Sequence, residues 1–394
     1  MAHKSLAHSK GINILMQISS NFDSGNIRVV DASQANNIQL EIVKDNESDF
    51  YQWFHFKLQQ SSDDNENSEH VIHLTNAGNS AYVEGWEDYQ AVASYDREHW
   101  FRVPTEFDGE KLTITLTPEY DSVYFAYFAP YSYERHQDLI HGAQMHLDCQ
   151  LQVLGQTLDG RDMSLLKVGE EGQGKKVIWL TARQHPGESM AEWFIEGFID
   201  RLLDEDDGAA RALLNKAVFY IVPNMNPDGS VRGHLRTNAC GANLNREWQT
   251  PTMDRSPEVY LVRSMMKKTG VDLFLDIHGD EALPYNFVAG CEGNPSYNDR
   301  NKALEDQFKK FLISITPEFQ DDKGYEKDAP GKANMTVATN WVGEQFNCLA
   351  FTIEMPFKDN ALLPDYSVGW SDERSSLLGR DVLTTVYHMV DDLR

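Results

Sequence analysis

Four continuously apolar runs, at 177–181, 217–223, 271–277 and 349–353, lie in the last two thirds of the chain. A strand that is apolar on both faces has to be covered on both faces, and parallel strands with helical crossovers achieve this. Helix-like stretches fill the gaps, at 189–203, 257–268 and 301–314, with a C-terminal one at 371–393. The alternation predicts an α/β domain, a mixed and largely parallel sheet flanked by helices on both faces. In open sheets of this kind ligands bind beyond the carboxyl ends of the strands. Polar groups that follow each run therefore converge on one site.

Those groups are specific. After 177–181 come Arg183, His185 and Glu188; after 217–223 come Asn226-Pro227-Asp228-Gly229, then Arg236 and Asn245-Arg246; 271–277 ends in His278, and 349–353 ends in Glu354. The run GEEGQGKK at 169–176 satisfies a loose phosphate-loop pattern, but it places Lys176 where Ser or Thr is needed for magnesium and it precedes a strand instead of joining strand to helix. It reads as a turn. No nucleophile elbow, dinucleotide fingerprint or H-E-x-x-H helix is present.

The first third has a different rhythm. Short alternating or aromatic runs at 27–30, 38–43, 51–58, 71–74, 111–116 and 123–128 are separated by turn chemistry such as Asp23-Ser24-Gly25-Asn26 and Asp108-Gly109. They predict an all-β antiparallel sandwich over 1–134 that precedes an α/β catalytic domain over 135–394. SSDDNENSE at 61–69 reads as a solvated connecting loop.

Charge narrows the partners. With 35 Lys plus Arg against 61 Asp plus Glu, the 394-residue chain carries a formal −26. That sign repels nucleic acid and anionic membranes unless a basic patch overrides it, and no such patch is present. The four cysteines form no C-x-x-C pair, so neither a zinc knuckle nor a thioredoxin-type centre is expected. The N-terminal MAHKSLAHSK lacks a following apolar segment, and stretches such as VYFAYFAPY at 123–131 are too short to span a bilayer. A soluble cytoplasmic protein is the expectation. Oligomeric state is not legible.

His185 and Glu188, three apart at a strand end, can face one point, and His278 at a corresponding strand end completes a His, Glu, His set. Three protein ligands with a fourth position open are the arrangement of catalytic zinc. Zinc lowers the pKa of its bound water to about 7 and polarises carbonyls. Hydrolysis also needs a carboxylate to move protons, and Glu354, isolated in an apolar strand where an ionised group is costly without a partner, is the candidate. Arg236 and the pair Asn245–Arg246 supply donor types suited to an oxyanion and a substrate carboxylate. Arg232 and Arg255 read as surface arginines.

As an ordered constellation, His185-x-x-Glu188, Asn226-Pro227-Asp228-Gly229, Arg236, Asn245-Arg246, His278 and Glu354 resemble the zinc carboxypeptidases of the carboxypeptidase A type. The N-terminal features, Phe22-Asp23-Ser24-Gly25-Asn26, the aromatic run 51–56 and the 123–131 segment, are similar to the β-sandwich of cytosolic carboxypeptidases. The resemblance implies one zinc on His185, Glu188 and His278, with Glu354 as general base and acid. It also implies Arg236 at the oxyanion, and Asn245 with Arg246 on the C-terminal carboxylate of a peptide or protein tail. Two positions depart from the pattern. Lys332 stands where pancreatic-type members carry a mobile tyrosine, leaving Tyr325 as a candidate by proximity only. Members acting on glutamate tails place a basic residue before the catalytic glutamate; 335–341 offers none, so Lys332 is the expected substitute for binding an acidic side chain.

The leading expectation is a zinc metallocarboxypeptidase, with acidic C-terminal residues suggested by the resemblance. A deacylase of small N-acyl amino acids on the same scaffold, and a catalytically silent peptide-binding module, are the alternatives. The last requires loss of a ligand or the base, and all four residues are present.

Overall fold

The computed structural model describes residues 16–60 and 68–394. The N-terminal segment 1–15 and most of the loop expected at 61–69 lie outside the described residues.

The apolar runs pair side by side. The strands Lys176–Ala182, Ala217–Val222, Leu273–Asp280 and Leu349–Pro356 are mutually parallel and form the middle of a seven-stranded sheet. All but the first two residues of these four strands are buried, as strands covered on both faces must be. Antiparallel strands flank them: Cys149–Gln156 and Asp162–Val168 on one side, Phe287–Ala289 on the other. The sheet is thus mixed, with parallel pairing confined to the strands that reach the site. The outer strands escape the apolar-run criterion because they alternate or are short.

The helices at 189–203, 257–268 and 301–314 correspond to Met190–Leu202, Pro257–Thr269 and Asp299–Ile315. The last helix ends at Met389, earlier than expected, and continues as a single 3-10 turn over Val390–Asp392. Helices Tyr133–Ala143, Gly208–Lys216 and Ala338–Phe346 were not among those expected; each is shorter than the helices that were. GEEGQGKK is a turn that leads into the strand Lys176–Ala182.

The first third forms two five-stranded sheets, antiparallel throughout except where Ile38–Glu41 runs parallel to His70–Leu74. Of the expected 51–58 strand only its second half is regular, His55–Gln59; residues 51–54 are buried but irregular, and the Tyr51, Gln52 and Trp53 side chains donate to the Asn76, Tyr82 and Ser24 carbonyls. Tyr127 stacks on Phe357 with ring centroids 4.5 Å apart. Arg102 donates to the carbonyls of Phe357, Val368 and Trp370 at 2.9–3.0 Å. The four cysteines are free, with Cys240 partly exposed and the other three buried.

Helices Met190–Leu202 and Asp372–Met389 pack backbone to backbone. A Cβ on Gly197 would lie 2.1 Å from the Ser376 carbonyl oxygen, and one on Gly379 would lie 2.1 Å from that of Phe194. Gly142, in the helix Tyr133–Ala143, has open space around it. Gly379→Ala should therefore lower unfolding stability by about 1–3 kcal/mol through overpacking. Gly142→Ala should leave it unchanged or raise it by up to about 1 kcal/mol. Denaturant titration of both variants checks the pair, and equal effects would contradict the close crossing.

Candidate metal centre

The register of the parallel strands sets the site. Ala182 pairs with Ile277, and His278 pairs with Glu354, so the residues following these positions emerge at one level. Immediately after Ala182 the chain turns: Arg183 has a left-handed φ of 57°, and the Glu188 N–H donates to the His185 carbonyl at 3.1 Å. The helix begins only at Met190, so the turn, and not a helical face, brings His185 and Glu188 together. Arg183 is held in place by Glu192, which accepts from its Nη1 at 2.7 Å and from the His136 ring at 2.7 Å.

His185, Glu188 and His278 offer ligand atoms that all lie within 4.8 Å of one another, and all three are buried. His185 Nδ1 is 2.6 Å from Glu188 Oε1, His278 Nδ1 is 2.8 Å from Glu188 Oε2, and the two Nδ1 atoms are 3.2 Å apart. The other ring nitrogens face away toward fixed acceptors. His185 Nε2 lies 3.1 Å from Asn243 Oδ1, and His278 Nε2 lies 2.8 Å from Asp276 Oδ2. Asp276 is itself fixed by Thr181 Oγ1 at 2.7 Å and Gln184 Nε2 at 2.5 Å. A carboxylate or amide oxygen behind each ring keeps the proton on Nε2 and leaves the Nδ1 lone pairs directed at one point. Two imidazoles and a carboxylate so arranged fit a zinc ion with an open position.

Glu354 sits beside this point, also buried. Its Oε1 accepts from Tyr325 Oη at 3.2 Å, and its Oε2 has no hydrogen-bond partner. Burial, followed by the nearby Glu188 and Asp280, outweighs the pull of His278 and raises its pKa well above the usual carboxylate range. Tyr325 also donates to Asp280 Oδ2 at 2.6 Å, and burial together with Glu354 and Asp280 raises its phenol. Its body is half exposed while its hydroxyl reaches Glu354, on an earlier part of the loop that carries Lys332.

These groups open into a cavity of about 720 Å³ that is also lined by Arg236, Asn245 and Arg246. Burial and then the like charge of Arg236 lower the pKa of Arg246, so two guanidiniums face a common space. Asn245 accepts the Ala338 N–H through Oδ1 at 2.8 Å, which turns its amide donors to the same side. Lys332 does not join them; it is exposed and does not line the cavity, because the loop turns outward at Gly331. Asn243, Asp276 and Tyr325 were missed as functional positions or left to proximity. Asp276 alone had a sequence signal, an acid inside an apolar strand two residues before His278.

Two family models match the chain, one described as the cytosolic carboxypeptidase N-terminal domain over residues 18–128 and one as zinc carboxypeptidase over 139–368. A metallo-carboxypeptidase from Pseudomonas aeruginosa, solved in complex with (2-guanidinoethylmercapto)succinic acid, is 51% identical and superposes with a TM-score of 0.93 over 96% of this chain and all of that one. An uncharacterised protein of Zymomonas mobilis is 52% identical over 96% of this chain and 97% of its own length. Bovine cytosolic carboxypeptidase 3 is 30% identical over 60% of this chain, a match that spans only 24% of that longer protein.

Removing metal with a chelator should leave the protein folded but without bound zinc, and adding zinc back should restore one ion per chain. His185→Ala should abolish stoichiometric binding. Asp276→Asn should weaken zinc affinity about 10–100-fold, the usual consequence of losing the group that orients a ligand histidine. A competition titration against a chromogenic chelator measures both, and unchanged affinity in Asp276→Asn would sink the orienting role.

Proposed function

The chain belongs to the zinc carboxypeptidase family, and from that premise we propose that it hydrolyses the C-terminal amide bond of peptides or protein tails. One observation carries the reading: the strand pairing that sets His278 against Glu354 puts an unpartnered buried carboxylate oxygen beside three converging metal donors. His185, Glu188 and His278 would hold zinc, which supplies Lewis acidity and an activated water when bound. Glu354 takes the proton of the attacking water and returns it to the departing amine, a task for which a raised pKa is suited. Arg236 offers donors to the charge that develops on the carbonyl oxygen. Arg246 and Asn245 hold the terminal carboxylate, and their pairing favours a peptide tail over the deacylase reading, in which that clamp would serve only a small acyl amino acid. The Tyr325 hydroxyl, already on Glu354, is placed to donate to the departing amide nitrogen or the terminal carboxylate. We place the protein in the cytoplasm, a reading supported by relatives named as cytosolic carboxypeptidases. Among the described residues no helix is long and apolar enough to cross a membrane.

Lys309, Lys323 and Lys327 also line the cavity and support an acidic C-terminal residue, a role in which they replace Lys332. A second reading has its own observations. Lys309 is already paired with Glu305 and Asp321 at 2.9 Å, and Lys327 with Glu292 at 2.7 Å. Gly290 and Glu292 line the cavity, and a Cβ on Gly290 would lie 3.0 Å from Glu292 Oε2 and 2.6 Å from Oε2 of Glu305, which is buried behind it. The Pseudomonas relative was solved with a ligand that carries both carboxylates and a guanidinium. A C-terminal Lys or Arg would suit that acidic wall.

Peptides ending in Glu, Asp, Lys, Arg, Leu or Phe, followed by mass spectrometry, decide between the two. Release of Glu and Asp alone supports the acidic reading, release of Lys and Arg the basic one, and preference for Leu or Phe contradicts both. On whichever peptide is cleaved, Glu354→Gln should keep its zinc while losing about 10²–10⁴-fold in kcat. Retained turnover in that variant would overturn the base assignment.

A further inference from the structure

The N-terminal third reaches the catalytic cavity through a 3-10 turn: Tyr82 and Glu84 line it together with His185, Arg236 and Glu354. Arg236 is the point of closest interest. Its guanidinium has no hydrogen-bond or ion-pair partner among the described residues. It lies instead between two aromatic rings, 5.3 Å from the centroid of Tyr82 and 5.6 Å from that of Phe50, both from the N-terminal third.

The loop that carries Arg236 is fixed from the same side. The buried Asp45 carboxylate accepts from the backbone N–H groups of Leu235 at 2.7 Å, Arg236 at 2.8 Å and Thr237 at 2.9 Å, and from Thr237 Oγ1 at 3.1 Å. Four donors on one carboxylate leave that short segment little freedom. Tyr82 is in turn clamped by Gln52, which accepts from its N–H at 2.8 Å and donates to its carbonyl at 3.0 Å.

A long cationic side chain with no ion pair samples many rotamers, and a donor that serves a transition state has to be in place beforehand. Two ring faces restrict the guanidinium plane and leave its N–H edge open to the cavity. We infer that the irregular segments of the N-terminal third are a working part of the active site: Phe50 and Tyr82 clamp Arg236 for the transition state, and Asp45 fixes the loop beneath it. All three are positioning residues. The inference rests on the reading of Arg236 as the oxyanion donor proposed above.

The test is steady-state kinetics on a peptide the wild type cleaves, with zinc content and melting temperature recorded for every variant. Tyr82→Phe keeps the ring and should retain wild-type kcat. Tyr82→Leu should keep its zinc, hold KM within about threefold and lose about 10–100-fold in kcat, the scale of a misplaced catalytic group. In an Arg236→Ala background, followed by long incubation, Tyr82→Leu should cause no further loss. Equal losses in both backgrounds, a change confined to KM, or full activity in Tyr82→Leu would each overturn the clamp. Wild-type kcat in Arg236→Ala alone would instead overturn the oxyanion role, so the two failures are distinguishable. Phe50→Leu, which removes the second ring, should reproduce the kcat effect. A drop in melting temperature without one counts against the clamp.

Discussion

The burial of negative charge around one point governs the rest of the structure. Glu188, Asp276, Asp280, Glu281 and Glu354 are all buried about the end of the parallel strands. Carboxylates taken out of water are costly unless a cation or a proton accompanies them. A divalent ion held by Glu188 and the two histidines would offset part of that charge, and Arg236 and Arg246, which line the same cavity, add positive charge to it.

Parallel pairing is what makes this arrangement possible. A shift of one residue between Leu273–Asp280 and Leu349–Pro356 would turn either His278 or Glu354 to the opposite face of the sheet. The fully apolar residues upstream pin the register by packing on both faces. Residues with no chemical role, such as Leu275 and Phe351, therefore decide where the base stands relative to the ligand. The close crossing of Gly197 and Gly379 serves the same end, because it seats the helix that follows the metal turn firmly against the C-terminal helix.

Much of this was legible because strand-end polarity is a local signal. His185, Glu188, His278 and Glu354 each interrupt or follow an apolar run, and a sheet of this type brings such positions together without any knowledge of loop paths. What escaped the sequence depends on those paths. Tyr325 and Lys332 sit on one irregular loop, and spacing from Glu354 selects position 332, whereas the chain delivers position 325 to the site and turns outward at Gly331. The flanking strands were missed because pairing at a sheet edge leaves one face wet and breaks the apolar run. The convergence of His185 and Glu188 follows from their spacing at a strand end, and a turn that opens at the left-handed Arg183 makes it.

The contribution of the N-terminal third was invisible for a different reason. Asp45, Phe50 and Tyr82 lie between the strands of the N-terminal third, and nothing near them in sequence suggests that they act on Arg236. Yet the most irregular part of that region, 43–54, is the part that touches the Arg236 loop. Regular strands satisfy their own backbone groups, so a segment that leaves the ladder has N–H and C=O groups, and side-chain acceptors, to spend on a neighbour. Asn46 shows this directly, with its N–H on His234 Nε2 at 3.1 Å and its amide on the Ala239 carbonyl at 2.7 Å. Irregularity there is the structural signature of a joint, and the loop on its far side carries Arg236, whose guanidinium lies against two rings of the N-terminal third.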